Sequence, residues 1–178
     1  MNPWQDVANE LVSRRYGALV GYALLLTRNR HDAEELVQEA LISTFTKHRR
    51  LDSVPAAESY VRRAIASRFV DSTRSRSRRL RRERAVAPFE SVPGPDASVE
   101  PDPALAAALA ELAPRVRACV VLRYLADQSN AEIAHVLGIA ESTVRGNVRD
   151  GLAALGAALG TTLTDDEPTG VVVKEVKA

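Results

Sequence analysis

The sequence predicts an all-α protein made of two small helical domains joined by an extended linker, and three observations predict it. Apolar residues recur at three- and four-residue spacing through most of the chain, the period of helices with one buried face. Residues 85–103, AVAPFESVPGPDASVEPDP, interrupt that period with five prolines and no lysine or arginine, and read as an extended acidic linker. Aromatic residues make up only 4% of the 178 residues while Ala, Leu, Val and Arg dominate, which suits helical bundles with small cores. The expected division is a first domain over 1–84, the linker over 85–103, a second domain over 104–160 and a flexible tail over 161–178.

Residues 5–26 read as the first helix, with Val7, Leu11, Val12, Leu19, Val20, Ala23, Leu24 and Leu26 near helical spacing, followed by a polar turn, TRNR, at 27–30. The second helix spans 32–48. Asp32 is its expected cap, with Glu35 as the capping-box partner, and Leu36, Val37, Ala40, Leu41 and Thr44 form its inner face. Its outer face carries Glu35, Gln38, Glu39 and Ile42 at i, i+3, i+4 and i+7. Two readings of that face stay open on periodicity alone. It is a protein-binding patch with an acidic rim, or a solvated face with one stray isoleucine.

After the basic loop Lys47 to Ser53 a third helix starts near Pro55, a residue tolerated in a first turn. Ala57, Val61, Ala64, Ile65 and Phe69 point inward, and Tyr60, Arg63, Ser67, Asp71 and Arg74 share an outer stripe. Between Arg62 and Arg84 there are ten arginines against two acids, a local charge of +8 in a chain of net charge +1. Such density repels itself unless phosphates or acidic surfaces screen it, so phosphate binding is the favoured reading and a basic spacer the bland one.

Asp102 and Pro103 start the second domain as a cap and first-turn proline. Helices follow at about 104–112 and 114–126, the latter burying Val116, Val120, Val121 and Tyr124 or Leu125. Asn130 to Arg149, NAEIAHVLGIAESTVRGNVR, has the spacing of a helix-turn-helix. Small Ala134 lets two helices cross, Gly138 takes the left-handed position past a helix end, and Ile133, Leu137, Ile139, Val144 and Val148 fill the angle. The second of these helices runs from about Glu141 to Leu159. It turns Ser142, Arg145, Gly146 and Arg149 away from its buried stripe, where a recognition helix presents base-reading side chains. The tail ends in VVVKEVKA, which could form a strand, dock weakly or stay disordered.

Several function classes are set aside. One cysteine, Cys119 on an apolar helical face, permits no disulfide within the chain. The three histidines lie on separate elements, so no zinc spacing is met, and there is no glycine-rich phosphate loop. No enzyme, metal or cofactor is expected. With no run of membrane-spanning length and no signal-peptide pattern at the N-terminus, a soluble cytoplasmic protein is expected, without membrane insertion.

Taken together, DAEELVQEALISTF at 32–45, SYVRRAIASRFVDSTRSRSRR at 59–79 and RVRACVVLRYLADQSNAEIAHVLGIAESTVRGNVRDGLAAL at 115–155 resemble, in order and spacing, regions 2.2, 2.3–2.4 and 4 of the extracytoplasmic-function (ECF) sigma factors of bacterial RNA polymerase, within the sigma-70 family. The Arg- and Ala-rich style is similar to the actinobacterial SigE-like branch. The resemblance implies a subunit that binds core RNA polymerase at its clamp coiled coil and flap, recognises −35 and −10 promoter elements and helps open the −10 region. Glu35, Gln38, Glu39 and Ile42 would face the clamp. Tyr60, Arg63, Ser67, Asp71 and Arg74 would read and clamp the −10 element, with the Lys47 to Ser53 loop as the pocket wall. Ser142, Arg145 and Arg149 would enter the −35 major groove, with Thr143 and Asn147 on phosphates or edge bases. Ser67 stands where many family members carry asparagine, so −10 base preferences do not carry over. The third helix lacks the aromatic cluster of housekeeping sigma factors, which implies melting that depends on a strict promoter match. An anti-sigma partner is compatible with the resemblance. The alternatives are a stand-alone helix-turn-helix regulator with an N-terminal interaction domain, and a protein that sequesters another factor through the acidic patch.

Overall fold

The structure is a computed structural model that describes residues 3–48, 50–80, 101–166 and 170–175. Most of the expected linker, and the far end of the arginine-rich stretch, lie outside the described residues.

Three helices make the N-terminal bundle: α1 (Pro3–Thr27), α2 (Arg30–Lys47) and α3 (Val54–Leu80). Leu11, Leu19, Ala23 and Leu26 of α1 meet Val37 and Ala40 of α2 and Val61, Ile65 and Phe69 of α3 in a core closed to solvent. The expected inner faces of α2 and α3 are the buried ones, whereas Val12 of α1 is exposed. The start of α2 differs from the expectation. Asn29 is its cap, accepting a bond from the Asp32 N–H, so Asp32 lies inside the first turn and Glu35 is released from any capping role. A single half-buried carboxylate, Glu58 of α3, fastens α3 to α1. It accepts two bonds from Arg15 of α1, at 2.9 and 3.0 Å, and one at 2.7 Å from Arg62 one turn further along α3.

Four helices follow: α4 (Pro103–Glu111), α5 (Pro114–Leu125), α6 (Asn130–Leu137) and α7 (Glu141–Leu159). Asp102 caps α4 through the Ala104 N–H, with Pro103 in the first turn as its sequence implies. A full capping box starts α6: Ser129 accepts from the Glu132 N–H, and Glu132 accepts from the Ser129 N–H. Gly138 ends α6 at φ +62°, the left-handed conformation its place in the motif requires. Gly151 lets α7 lie against α5, since a Cβ there would sit 2.5 Å from a methyl of Val120. Among the candidates on α5, Val120 and Val121 are buried, Tyr124 is half-buried and Leu125 is exposed.

The tail departs most from its expectation of flexibility. Strands β1 (Thr161–Asp166) and β2 (Gly170–Glu175) pair antiparallel, and β1 packs along α7. This two-stranded ribbon is an appendage to an otherwise helical molecule. The two helical groups also touch: α3 packs on α5 and α6, and α1 on α4 and α5. Arg117 of α5 is the chief tie. Its buried guanidinium donates to the Leu26 carbonyl at the end of α1 and to the Ala110 and Leu112 carbonyls at the end of α4, and it lies 5.6 Å from the centre of the Phe69 ring.

Candidate nucleic-acid interface

Three surfaces carry the residues singled out from the sequence. On α2, Glu35, Gln38, Glu39 and Ile42 are all exposed, and Ile42 is 70% accessible. Glu39 accepts a bond from Arg68 of α3 at 3.1 Å, so one carboxylate of the patch is already offered to a guanidinium. An exposed isoleucine ringed by carboxylates and an amide is suited to a partner that brings arginines around an apolar centre.

On α3 the structure brings together part of the expected stripe. Tyr60 stands at its head, and the His48 ring from the preceding basic loop packs on it at 4.5 Å. The Arg63 guanidinium also lies over the Tyr60 ring, 5.4 Å from its centre. His48, Tyr60 and Arg63 therefore form one aromatic and cationic cluster, with the His48 and Tyr60 rings tilted by 36°, and such side chains are the kind on which an unpaired base can rest. Buried Leu51 anchors the loop beneath. Ser67 is half-buried on the same side, while Asp71 and Arg74 continue exposed down the helix. Arg63 also donates to Glu132 of α6 at 3.2 Å, and Arg62 to the Leu125 carbonyl at the end of α5. The upper stripe thus lies against the second helical group.

On α7, Ser142, Thr143, Arg145 and Arg149 are exposed on the first two and a half turns. Arg145 and Arg149 pair with solvent-exposed acids of their own helix, Glu141 at 2.7 Å and Asp150 at 2.8 Å, contacts that a phosphate or base edge can replace at little cost. Asn147 differs from the expectation. It is half-buried, and its amide donates to the Cys119 sulfur at 3.5 Å, because its place on α7 faces α5. It braces the helix from within. Burial pushes the Cys119 thiol up, which suits a packing residue. The glycine at 146 has open space where a Cβ would be, so no protein neighbour demands it.

Sequence reasoning missed Arg117, Arg62 and Glu132. The Ser129-x-x-Glu132 spacing carries a capping signal, and it also fixes the carboxylate that Arg63 meets. Hydrogen bonds from Ser129 hold Glu132 below the usual carboxylate range. Among the described residues no group of three or more His, Cys, Asp or Glu is placed to hold a metal ion, and no helix is long and apolar enough to cross a membrane.

The first helical group carries an aromatic and cationic cluster on α3 and an exposed acidic face on α2, and the second carries a helix-turn-helix. Comparison with known proteins gives the family. The sigma-70 region 2 family model matches residues 11–79 and the sigma-70 region 4 model matches residues 103–155. The chain belongs to the sigma-70 family of RNA polymerase sigma factors, in its ECF group. It is 33% identical over 153 residues to the RNA polymerase sigma-E factor of Streptomyces avermitilis, covering 82% of this chain and 81% of that one. It is 32% identical over 160 residues to the ECF sigma factor SigM of Mycobacterium tuberculosis, covering 85% and 76%. Against the ECF sigma factor SigE of Mycolicibacterium smegmatis it is 32% identical over 158 residues, 85% of this chain, and spans 59% of that relative's length. The fold also matches the sigma factor RpoE of Bartonella quintana, solved in complex with the anti-sigma factor NepR. That match has a TM-score of 0.66 and 19% identity, and covers 90% of this chain and 98% of that one.

Proposed function

We propose that this chain is a dissociable promoter-specificity subunit that carries no chemistry of its own and works beside the polymerase in the cytoplasm. Residues 1–84 form the polymerase- and −10-binding module, 104–160 the −35-binding module, and 85–103 the connector between them. The observation that carries the reading is the pairing of two nucleic-acid surfaces with an exposed docking face on α2. A stand-alone helix-turn-helix regulator accounts for α6 and α7 but leaves that face, the aromatic and cationic cluster and the arginine-rich α3 without a role.

In this reading Glu35, Gln38, Glu39 and Ile42 meet the clamp of core polymerase, with carboxylates against clamp arginines and Ile42 at the apolar centre. A flipped −10 base stacks against Tyr60, with Arg63 and the Lys47 to Ser53 loop closing its pocket and Ser67, Asp71 and Arg74 following the strand. Taking a base from the stack costs a few kcal/mol, which stacking of about 1–3 kcal/mol and phosphate contacts to the arginines offset. Ser142, Thr143, Arg145 and Arg149 read the −35 major groove, with Asn147 stiffening the helix behind them. Arg63 meets Glu132 when the two groups are packed together, and freeing it for DNA exchanges one partly exposed ion pair for another at little cost. The polymerase flap is a further contact of the second module. An anti-sigma protein is a reasonable partner by analogy with the Bartonella complex.

The test is run-off transcription on fragmented genomic DNA from the source organism, using core polymerase with and without the protein. New transcripts sharing an upstream pair of elements are expected. Tight binding to a palindrome without polymerase, and no transcripts with it, would overturn the proposal in favour of a conventional regulator.

A further inference from the structure

The C-terminal ribbon has no part in that reading, yet its first strand is built into the second helical group. The chain reverses at Gly160, at φ +67°, and β1 runs back along the flank of α7. Gly156 makes room for it, since a Cβ there would lie 2.6 Å from the Thr161 carbonyl oxygen, a backbone atom that cannot swing aside. Leu163 packs on the core. Further on, the Asp165 carboxylate accepts the Tyr124 hydroxyl and lies 3.6 Å from the Arg123 guanidinium. Burial pushes the Tyr124 hydroxyl up and Asp165 pushes it further, so it stays protonated as the donor. The strand is therefore pinned at its start, middle and end.

Between β1 and α7 lies an open groove of about 450 Å³. Arg145 and Arg149 line it from α7, Asn130 from the start of α6, and Leu163 and Asp165 from β1. The two arginines are those assigned to the −35 element. A DNA backbone entering this groove meets Asp165 on the facing wall. Charges lining one groove act on the same bound phosphate, since screening at 0.1 M salt has a length of about 10 Å.

We propose that the C-terminal strand is an acidic arm that competes with duplex DNA for the −35 reading groove, so that the second module grips DNA weakly until the arm is displaced. The proposal rests on the assignment of α7 to the −35 element. It makes the arm a device by which −35 binding depends on something that moves it, and assembly with polymerase is the natural occasion.

The experiment is an anisotropy titration of a labelled mixed-sequence DNA duplex with the full chain, with Asp165→Asn, with Gly156→Ala and with a chain ended after Gly160, over a range of salt. Asp165→Asn is expected to bind about threefold tighter and the shortened chain about tenfold tighter at low salt, with the log–log salt slope of the shortened chain steeper by about one. Gly156→Ala keeps every charge and lifts the strand, and is expected to bind at least about twofold tighter because Asp165 and the strand move off the groove wall. Unchanged or weaker binding in all three variants would overturn the proposal. So would tighter binding in Asp165→Asn with no change in Gly156→Ala, since net charge alone would then explain it. Binding of each variant to core polymerase is measured in parallel. If all bind core but none gains DNA affinity, the arm fails and the sigma reading stands. If none binds core, the sigma reading itself fails.

Discussion

Replacing Arg117 by Met should loosen the tie between the two helical groups, and the structure sets the size of the effect. The guanidinium serves three carbonyls, those of Leu26, Ala110 and Leu112, and stacks on Phe69. Charge-assisted bonds contribute roughly 1.5–3 kcal/mol each, so three give a gross loss of about 4.5–9 kcal/mol. Against that, taking a guanidinium out of water without a carboxylate partner costs several kcal/mol, which the variant recovers. Burial accordingly pulls the Arg117 pKa down from its ordinary value. Methionine keeps most of the volume, so the cavity contribution is small. A net loss of about 3 kcal/mol follows, and for a chain of this length about 2–4 °C of melting temperature per kcal/mol gives a fall of about 6–12 °C. Circular dichroism at the helix band reads the melt, and small-angle scattering reads whether the groups separate, as an increase in radius of gyration. Arg117→Lys should fall between the two, because an ammonium cannot span three acceptors in the planar fork. A Met variant melting within 2 °C of the parent, with unchanged scattering, would refute the reasoning: the three carbonyls would then have no need of this donor.

Other consequences can be checked with single substitutions. Glu39→Lys should weaken core polymerase binding about tenfold or more while leaving the melt nearly unchanged, since its pair with Arg68 is solvent-exposed; an unaltered titration would reject α2 as the docking face. Arg145→Ala should shift −35 preference at one or two bases, at about 1–3 kcal/mol for a lost bidentate contact, whereas a uniform loss across sequences would make it a phosphate contact. Burial pushes the Glu58 carboxyl up, but Arg15 and Arg62 outweigh it and hold it below the usual carboxylate range. A depressed carboxyl stabilises the fold at pH values above its unfolded pKa, and that stability is lost as the pH falls through the folded value. Glu58→Gln should therefore lower the melting temperature by about 2–4 °C at neutral pH, for a loss of about 1 kcal/mol, and the gap to the parent should close below about pH 4. A gap that stays constant down to pH 3 would mean the carboxylate charge contributes nothing.

What the sequence reveals and what it conceals divides along the range of the interactions. The helix-turn-helix is legible because its determinants are local: Ala134, Gly138 and the apolar set all act within one turn of their neighbours. The same holds for Asp102-Pro103 at the start of α4 and for the outward α2 face, where period alone turns Glu35, Gln38, Glu39 and Ile42 to solvent. The cap of α2 is local too, but Asn29 and Asp32 both fit the residue preference, and only the entry angle of the chain selects Asn29. Arg117 is hidden because its acceptors are a carbonyl 91 residues away and two at a helix end, and nothing in RVRACVV marks one arginine as buried. The half-burial of Asn147 is hidden for a related reason. Its position borders the buried stripe, and the sulfur it meets is on another helix. The ribbon needs β1 to find α7 at Gly156 and α5 through Asp165, and the polar sequence TTLTDD carries no strand period strong enough to announce it.

The division of labour along α7 has an evolutionary consequence. Val144, Val148, Gly151, Leu152 and Leu155 are sealed against the rest of the second group, and Gly151 admits no larger residue without moving Val120. Ser142, Thr143, Arg145 and Arg149 are exposed, and the two arginines are bonded to exposed acids of the same helix. Exchanges at surface positions of this kind usually alter stability by no more than about 0.5 kcal/mol. On the proposed assignment of α7 to the −35 element, a lineage can therefore redirect such a subunit to a new set of genes by small steps at four positions, each intermediate folding as well as the last, while the frame that presents those positions stays under tight selection.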